Sequence, residues 1–310
     1  MLSDKAIVRT GLIIPIDRDS LFSRSLLAED ADIRLAFRQN LRAFWETNMK
    51  VALGQFAVSR DWRENSLTCT GLMAQALVGE ADLLLLPEAV LAQDMNDPSR
   101  VIEAAQPLDG PFLKAILAAS QANQLTTIMT VHVPDRTGKV MNVLIAVRAG
   151  EIIARYDKLH LYDAFAMQES RRVTAGSKIP PLIEVAGMKV GLMTCYDVRF
   201  PELARRLALE GAEVLVLPAA WVKGPLKEMH WEVLVTARAL ENTCYMVAVG
   251  ECGPRNCGNS LVVDPLGVAI AKAGESPALL FAGLDPARIA HARSVLPVLQ
   301  NCRFASPELK

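Results

Sequence analysis

Cys195 closes the apolar run Gly191-Leu192-Met193-Thr194 and precedes Tyr196-Asp197-Val198-Arg199-Phe200-Pro201-Glu202, so a buried strand delivers a thiol to a turn that leads into a helix. Backbone N–H groups at such a turn, with the partial positive charge of the coming helix, favour a thiolate and can hold a developing oxyanion. That is the equipment of nucleophilic acyl transfer. The same cysteine also reads as a small buried hydrophobe, so its partners decide. Glu88 follows Leu83-Leu84-Leu85-Leu86-Pro87 at the mouth of another apolar strand, where desolvation is expected to raise its pKa and make it a proton acceptor near neutral pH. Otherwise it is an ordinary strand-end charge. Lys158, in Arg155-Tyr156-Asp157-Lys158-Leu159-His160-Leu161, comes straight after Glu151-Ile152-Ile153-Ala154. An ammonium there would stabilise a negative tetrahedral oxygen, or would simply be a solvated strand edge.

The histidines offer a competing base. His132, His160, His230 and His291 raise the idea of a Cys–His dyad built on His160 or His230, yet neither has a sequence context that places it on Cys195. Cys252 and Cys257 are separated by Gly253-Pro254-Arg255-Asn256, a spacing looser than zinc ribbons use, and no second pair follows. No metal is expected. Trp221, Trp231 and Val233-Leu234-Val235 read as core or subunit contact rather than a cofactor pocket, and no cofactor is expected.

The elements that must position these residues alternate. Strands are expected at 50–58, 83–86, 126–133, 140–149, 151–155, 188–195, 213–217, 244–249 and 259–264, with helices near 63–78, 111–123, 201–210 and 228–242. Pro111 and Pro201 suit first turns of helices, and Gly138 and Gly150 suit turns. The class is α/β. Ala81-Asp82-Leu83-Leu84-Leu85-Leu86-Pro87-Glu88-Ala89 parallels Ala212-Glu213-Val214-Leu215-Val216-Leu217-Pro218-Ala219-Ala220, and each follows a Lys-Val-x-Leu run, at Lys50 and at Lys189. Two similar halves could form two sheets facing each other with helices outside, which would bring Glu88 and Cys195 to one site from equivalent strand ends.

Composition narrows the partners. The chain has 310 residues, 51% of them hydrophobic and 22% charged, enough for a sizeable core. A formal net charge of -1, from 33 basic and 34 acidic residues, provides no field for nucleic acid or an anionic membrane. A small-molecule substrate is the expectation. The six cysteines are too sparse for a disulfide framework, which suits a cytoplasmic location, and no apolar run approaches the ~18 residues that cross a bilayer. Residues 1–48, with balanced charges and no acid-poor transit pattern, read as a dispensable N-terminal extension to a domain spanning 49–310.

Leu86-Pro87-Glu88, Tyr156-x-Lys158-x-His160-Leu161 and Gly191-Leu192-Met193-Thr194-Cys195-Tyr196-Asp197-x-Arg199-Phe200-Pro201-Glu202 resemble, in order, the three catalytic signatures of the nitrilase superfamily of carbon–nitrogen hydrolases. His230-Trp231-Glu232-Val233-Leu234, Ala237-Arg238-Ala239-Leu240-Glu241, Cys244-Tyr245 and Leu296-Pro297-Val298 are similar to its deaminated-glutathione amidase branch, and Tyr162-Asp163-Ala164-Phe165 to bacterial members of that branch. The resemblance implies an α-β-β-α sandwich that pairs with a second subunit, as a homodimer or higher homo-oligomer, and a mechanism without metal or organic cofactor. Glu88 would take the proton of Cys195, Cys195 would attack the amide carbonyl, and Lys158 with the Tyr196 backbone N–H would hold the oxyanion. The implied reaction takes the carboxamide of deaminated glutathione, or a close α-keto-γ-carboxamide, to the acid plus ammonia through a thioester. The alternatives are an ω-amidase on α-ketoglutaramate and a non-catalytic oligomeric scaffold. Arg199 is a candidate for a substrate carboxylate, or a brace of the turn through Asp197 or Glu202. Many superfamily members carry a second glutamate after the strand that here ends Thr130-Val131-His132-Val133-Pro134. None stands there in this chain, which leaves open whether His132 compensates.

Overall fold

The structure, a computed structural model, describes residues 48–310 except Met95. Its compact unit runs Asn48–Lys310, so the expected extension falls, apart from Asn48, outside the described residues. Two six-stranded sheets make up the unit. The first is ordered β12-β1-β2-β3-β4-β5, where β1 is Met49–Gln55, β2 Leu83–Leu85, β3 Thr126–Pro134, β4 Val140–Arg148, β5 Glu151–Asp157 and β12 Ala278–Leu284. The second is ordered β11-β10-β9-β8-β7-β6, where β6 is Ile183–Val185, β7 Met188–Leu192, β8 Val214–Ala219, β9 Tyr245–Gly250, β10 Leu261–Val263 and β11 Ala269–Lys272.

The expected repeat is real and extends to individual hydrogen bonds. β1, β2 and β3 are parallel, with antiparallel strands beyond them on both sides, and β7, β8 and β9 are arranged in the same way. In the first half Asp82 N–H donates to Lys50 O at 2.8 Å while Lys50 N–H donates to the Asp82 carboxylate at 2.7 Å. In the second, Glu213 N–H donates to Lys189 O at 2.8 Å while Lys189 N–H donates to the Glu213 carboxylate at 3.0 Å. The acid that opens each apolar run thus fixes its register against the preceding strand.

Period-2 alternation explains the layers. Leu83 and Leu85, with Val51 and Leu53, face the second sheet, whereas Leu84 and Leu86 face outward onto Cys69 and Met73 of helix Trp62–Val78 and Phe112 and Ile116 of helix Pro111–Ser120. Each fully buried leucine of this run contributes roughly 1.5–3 kcal/mol. Helices Pro201–Leu209 and Lys227–Asn242 cover the other sheet through Leu203, Leu207, Trp231 and Val235. The architecture is the expected α-β-β-α sandwich. None of its helices, among the described residues, is long and apolar enough to cross a membrane.

Several boundaries differ from expectation. The run 50–58 leaves the sheet at Gln55, and the run 188–195 leaves it at Leu192, so Cys195 lies in a short 3-10 turn, Cys195–Arg199, rather than on the strand. β6, β11, β12 and helix Pro286–Val295 lie outside the expected elements. β6 has only 3 residues, and the half-exposed β11 has 4, so neither carries a pattern of its own; the partner strand defines them.

Candidate active site

Glu88 reaches the space between the sheets because the chain turns sharply after β2. Leu86 N–H donates to Ile128 O at 2.9 Å, and Ala89, left-handed with φ 58°, donates its N–H to Thr130 Oγ1 at 2.7 Å. The Glu88 carboxylate accepts from the backbone N–H of Ala220, the residue after β8, at 2.9 Å. The two repeats therefore meet at this carboxylate. Lys158, one residue past β5, donates to Glu88 Oε1 at 2.8 Å, and both side chains are buried. Gly176 N–H donates to the Lys158 carbonyl at 2.8 Å, and a Cβ at Gly176 would strike the Asp157 backbone. Only glycine permits this close anchoring of the lysine's backbone.

Cys195 holds a left-handed backbone, φ 44°, which is uncommon for a residue with a Cβ and costs about 1–2 kcal/mol. Asp197 holds the turn in that shape. Its fully buried carboxylate accepts from Thr194 N–H at 2.8 Å and Tyr156 Oη at 2.7 Å, and lies 2.7 Å from His160 Nδ1. His160 is further stacked on Phe200, with ring centroids 3.8 Å apart. The charged side chains that bear on the Cys195 thiol are Glu88 and Lys158, not His160 or His230.

The electrostatics correct one expectation. Burial pushes the Glu88 carboxyl up, as anticipated, but the Lys158 charge and hydrogen bonds from Cys195, Lys158 and Ala220 outweigh it, so the carboxyl titrates below its ordinary range. Burial and the adjacent Glu88 charge push Cys195 well up, against the pull of Lys158. Burial pulls Lys158 down, but Glu169, Glu88 and Cys195 raise it further than burial lowers it. The resting site thus holds carboxylate, ammonium and thiol, not the thiolate that the turn alone suggested. A carboxylate beside a thiol is placed to take its proton as the sulfur attacks.

Glu169 is a site residue that no sequence pattern announces. It sits in a one-turn 3-10 segment, Glu169–Arg171, and its carboxylate accepts from Lys158 Nζ at 3.0 Å and from Tyr162 N–H at 2.6 Å. The second glutamate sought after Val133 is supplied from this later loop. Asn142 joins the two acids, donating to Glu88 Oε1 at 2.8 Å and to Glu169 Oε1 at 3.4 Å. His132 pairs across the strands with Asn142, is buried, and has an Nδ1 without a partner. Burial holds it neutral down to about pH 4, so it brings no charge to replace a glutamate.

On the other side of Cys195 the Tyr196 ring meets Tyr162 edge-on, with centroids 5.0 Å apart. Arg199 does not brace the turn: it makes no ion pair with Asp197 or Glu202 and lies over the Trp221 ring at 4.9 Å, its guanidinium 3.5 Å from His230 Nδ1. Cys252 and Cys257 do not form a metal cluster with His230, and no group of three or more such ligands converges among the described residues.

Residues 50–294 match the carbon–nitrogen hydrolase family. The chain is 58% identical to a deaminated glutathione amidase of Escherichia coli O157:H7 over 84% of its own length and 100% of that protein, and 34% identical to the Homo sapiens deaminated glutathione amidase over 82% of each. Among solved structures, the Caenorhabditis elegans NitFhit protein superposes with a TM-score of 0.77 at 27% identity, covering 83% of this chain and 65% of that one. A site in which a buried Glu–Lys pair faces a cysteine, the double sheet that creates it, and these similarities lead to one assignment: the chain belongs to the carbon–nitrogen hydrolase family of the nitrilase superfamily, and is a hydrolase acting on amides.

Proposed function

We propose that this chain hydrolyses the amide of deaminated glutathione, or of a close α-keto-γ-carboxamide, through a thioester on Cys195. The observation that carries the mechanism is the placement of the Glu88 carboxylate, hydrogen-bonded to Lys158 and to Ala220 N–H and close enough to the Cys195 thiol to raise its pKa. As the sulfur attacks the carbonyl carbon, its proton passes to Glu88, and the oxyanion forms against Lys158 Nζ and the Tyr196 N–H. Glu88 returns the proton to the departing nitrogen, the C–N bond breaks, and the acyl group remains on sulfur. Water, deprotonated by Glu88, then attacks the thioester, the C–S bond breaks to release the acid, and Glu88 returns the proton to the Cys195 sulfur. The γ-linkage of a glutathione skeleton is a secondary amide, so an amine leaves from that substrate. Ammonia leaves only from a primary carboxamide.

The relatives named for deaminated glutathione support the substrate. Exposed Met229, Val233 and Leu240 on one face of helix Lys227–Asn242 support a homo-oligomer, and the unpaired thiols of the described residues support a reducing, cytoplasmic setting. The proposed catalytic domain is 49–310, with Arg199 and Tyr196 contacting substrate. A screen measuring the released acid across deaminated glutathione, α-ketoglutaramate, glutamine, N-carbamoyl amines and nitriles tests it. We expect the first to have the highest kcat/KM. A nitrile or carbamoyl optimum, or more than ~1% activity retained by Cys195→Ala, overturns the reading.

A further inference from the structure

Lys227 opens the helix Lys227–Asn242, yet its side chain is turned inward and is 4% exposed. Its Nζ donates to Tyr162 Oη at 3.0 Å and lies over the rings of Phe165 at 4.7 Å, Trp221 at 4.7 Å and Tyr162 at 5.1 Å. Aromatic faces attract a cation but do not neutralise it. No carboxylate among the described residues forms an ion pair with Lys227; the neighbouring Glu228 is instead hydrogen-bonded to the Cys257 thiol at 3.5 Å. Arg199 lies over the same Trp221 ring, also without an acid, and its buried Nε has no partner.

Two cations gathered on one indole repel each other, and burying either without a counter-charge is costly. The repulsion is felt at Lys227, where burial and then Arg199 depress the ammonium, while the sulfur of Cys195 is close enough to act in the opposite direction. Arg199 closes the very turn that Cys195 opens, and Tyr162 packs on Tyr196. Both cations therefore stand beside the nucleophile.

From this geometry we infer that Lys227, together with Arg199, is the subsite for a carboxylate carried by the acyl half of the substrate. The substrates it selects are monoamides of dicarboxylic acids. This deepens the amidase reading and rests on it for the reaction, but not for the binding. Lys227 donates to one carboxylate oxygen from the side of Tyr162, Arg199 donates to the other with its fork of N–H groups, and the anion offsets the repulsion between them. Because the acyl half stays on sulfur after the amine departs, the same contacts persist in the thioester.

The test uses the full chain with glutaramate, uncharged hexanamide, and N-butyrylglycine, whose carboxylate is on the leaving half. Wild type is expected to prefer glutaramate over both, and Lys227→Met to lower the glutaramate-to-hexanamide ratio of kcat/KM ~10-fold or more, chiefly through KM, with Lys227→Arg restoring most of it. Equal losses on all substrates would mean a merely structural lysine, and a wild-type preference for N-butyrylglycine would put the anion on the leaving half; either overturns the inference. Calorimetry of glutarate binding to Cys195→Ala, with and without Lys227→Met, separates this claim from the chemistry. A ~10-fold weakening is expected whatever the turnover, and no weakening rejects the subsite even if amides are hydrolysed.

Discussion

The hydroxyl of Tyr156 donates to the carboxylate of Asp197 across 2.7 Å, joining the strand that leads into Lys158 to the turn that carries Cys195. Tyr156 is 2% exposed and Asp197 not at all, so this bond ties one sheet to the other in a medium where its loss cannot be made good by water. Burial, with the nearby Asp197 charge, pushes the phenol well up and keeps it a donor. The same oxygen accepts from Leu159 N–H at 3.1 Å, adjoining the catalytic lysine.

Replacing Tyr156 with Phe should therefore act on both stability and rate. Removing a hydrogen bond to a buried charge costs about 1.5–3 kcal/mol, and the turn that fixes Cys195 loses one of its supports. Urea denaturation should show that loss, and kcat should fall ~10-fold or more while the variant stays folded. Unchanged denaturation and unchanged kcat would mean that Thr194 and His160 alone hold Asp197.

The acids around Lys158 should rank by what each does. Glu88→Gln removes the proton acceptor and should lower kcat ~1,000-fold or more, and Lys158→Ala should lose ~100-fold or more with the oxyanion's cation. Glu169→Gln keeps an acceptor for Tyr162 N–H but leaves Lys158 with one acid instead of two, for an expected loss of ~10-fold. Single-turnover kinetics on the three variants checks the order. A Glu169 variant as damaged as the Glu88 variant would give the second acid a part in proton transfer.

Why Glu88, Lys158 and Cys195 are legible in the amino-acid sequence while Glu169 and Lys227 are not follows from how each is positioned. Each of the first group ends or follows an apolar run whose period announces a strand, and a reactive group at a strand end is a readable signal. Glu169 is placed by a one-turn segment between stretches without periodicity, and only its contact with Lys158 reveals it. Lys227 follows Gly224-Pro225-Leu226 and reads as a surface charge at a helix start. Its inward turn depends on the left-handed backbone of Leu226, φ 59°, which no pattern foretells. The wrong direction expected for Glu88 has the same origin: burial was visible in the run of leucines, whereas the charge and donors that outweigh it come from residues as distant as Ala220.

The pH profile should be a broad plateau. Turnover needs Glu88 ionised, and its carboxyl is held below the ordinary 4.5, so the acid limb of kcat/KM should lie below that value. Cys195 is held above 9.0, so loss of the thiol proton, needed by the leaving nitrogen, should come only above it. For stability, Glu88 with its depressed value contributes above 4.5 and loses that contribution as pH falls through its folded value. Lys158 with its raised value contributes below 10.5 and loses it as pH rises through its folded value. An inflection of kcat/KM near 6.5, the ordinary histidine value, would contradict a His132 held neutral down to about 4.

A chain beginning at Met49 should fold and hydrolyse the same amide. Its first residues form β1, which is interior to its sheet, paired with β12 from Met49 to Gln55 and with β2 through Val51, Ala52 and Leu53. The register of β1 is fixed within the unit Asn48–Lys310 by the two Lys50–Asp82 backbone and carboxylate bonds. Glu88, Lys158, Glu169, Cys195 and Lys227, with every partner described for them, also lie within that unit. The opposing expectation comes from Phe37, Phe44 and Trp45, large apolar side chains whose burial against the domain would contribute several kcal/mol, at ~1.5–3 kcal/mol each. Soluble yield, thermal midpoint and kcat/KM of the two chains separate these outcomes. Equal midpoints and rates support a hydrolase domain confined to 49–310, whereas an insoluble or inactive truncation makes the first residues part of the fold.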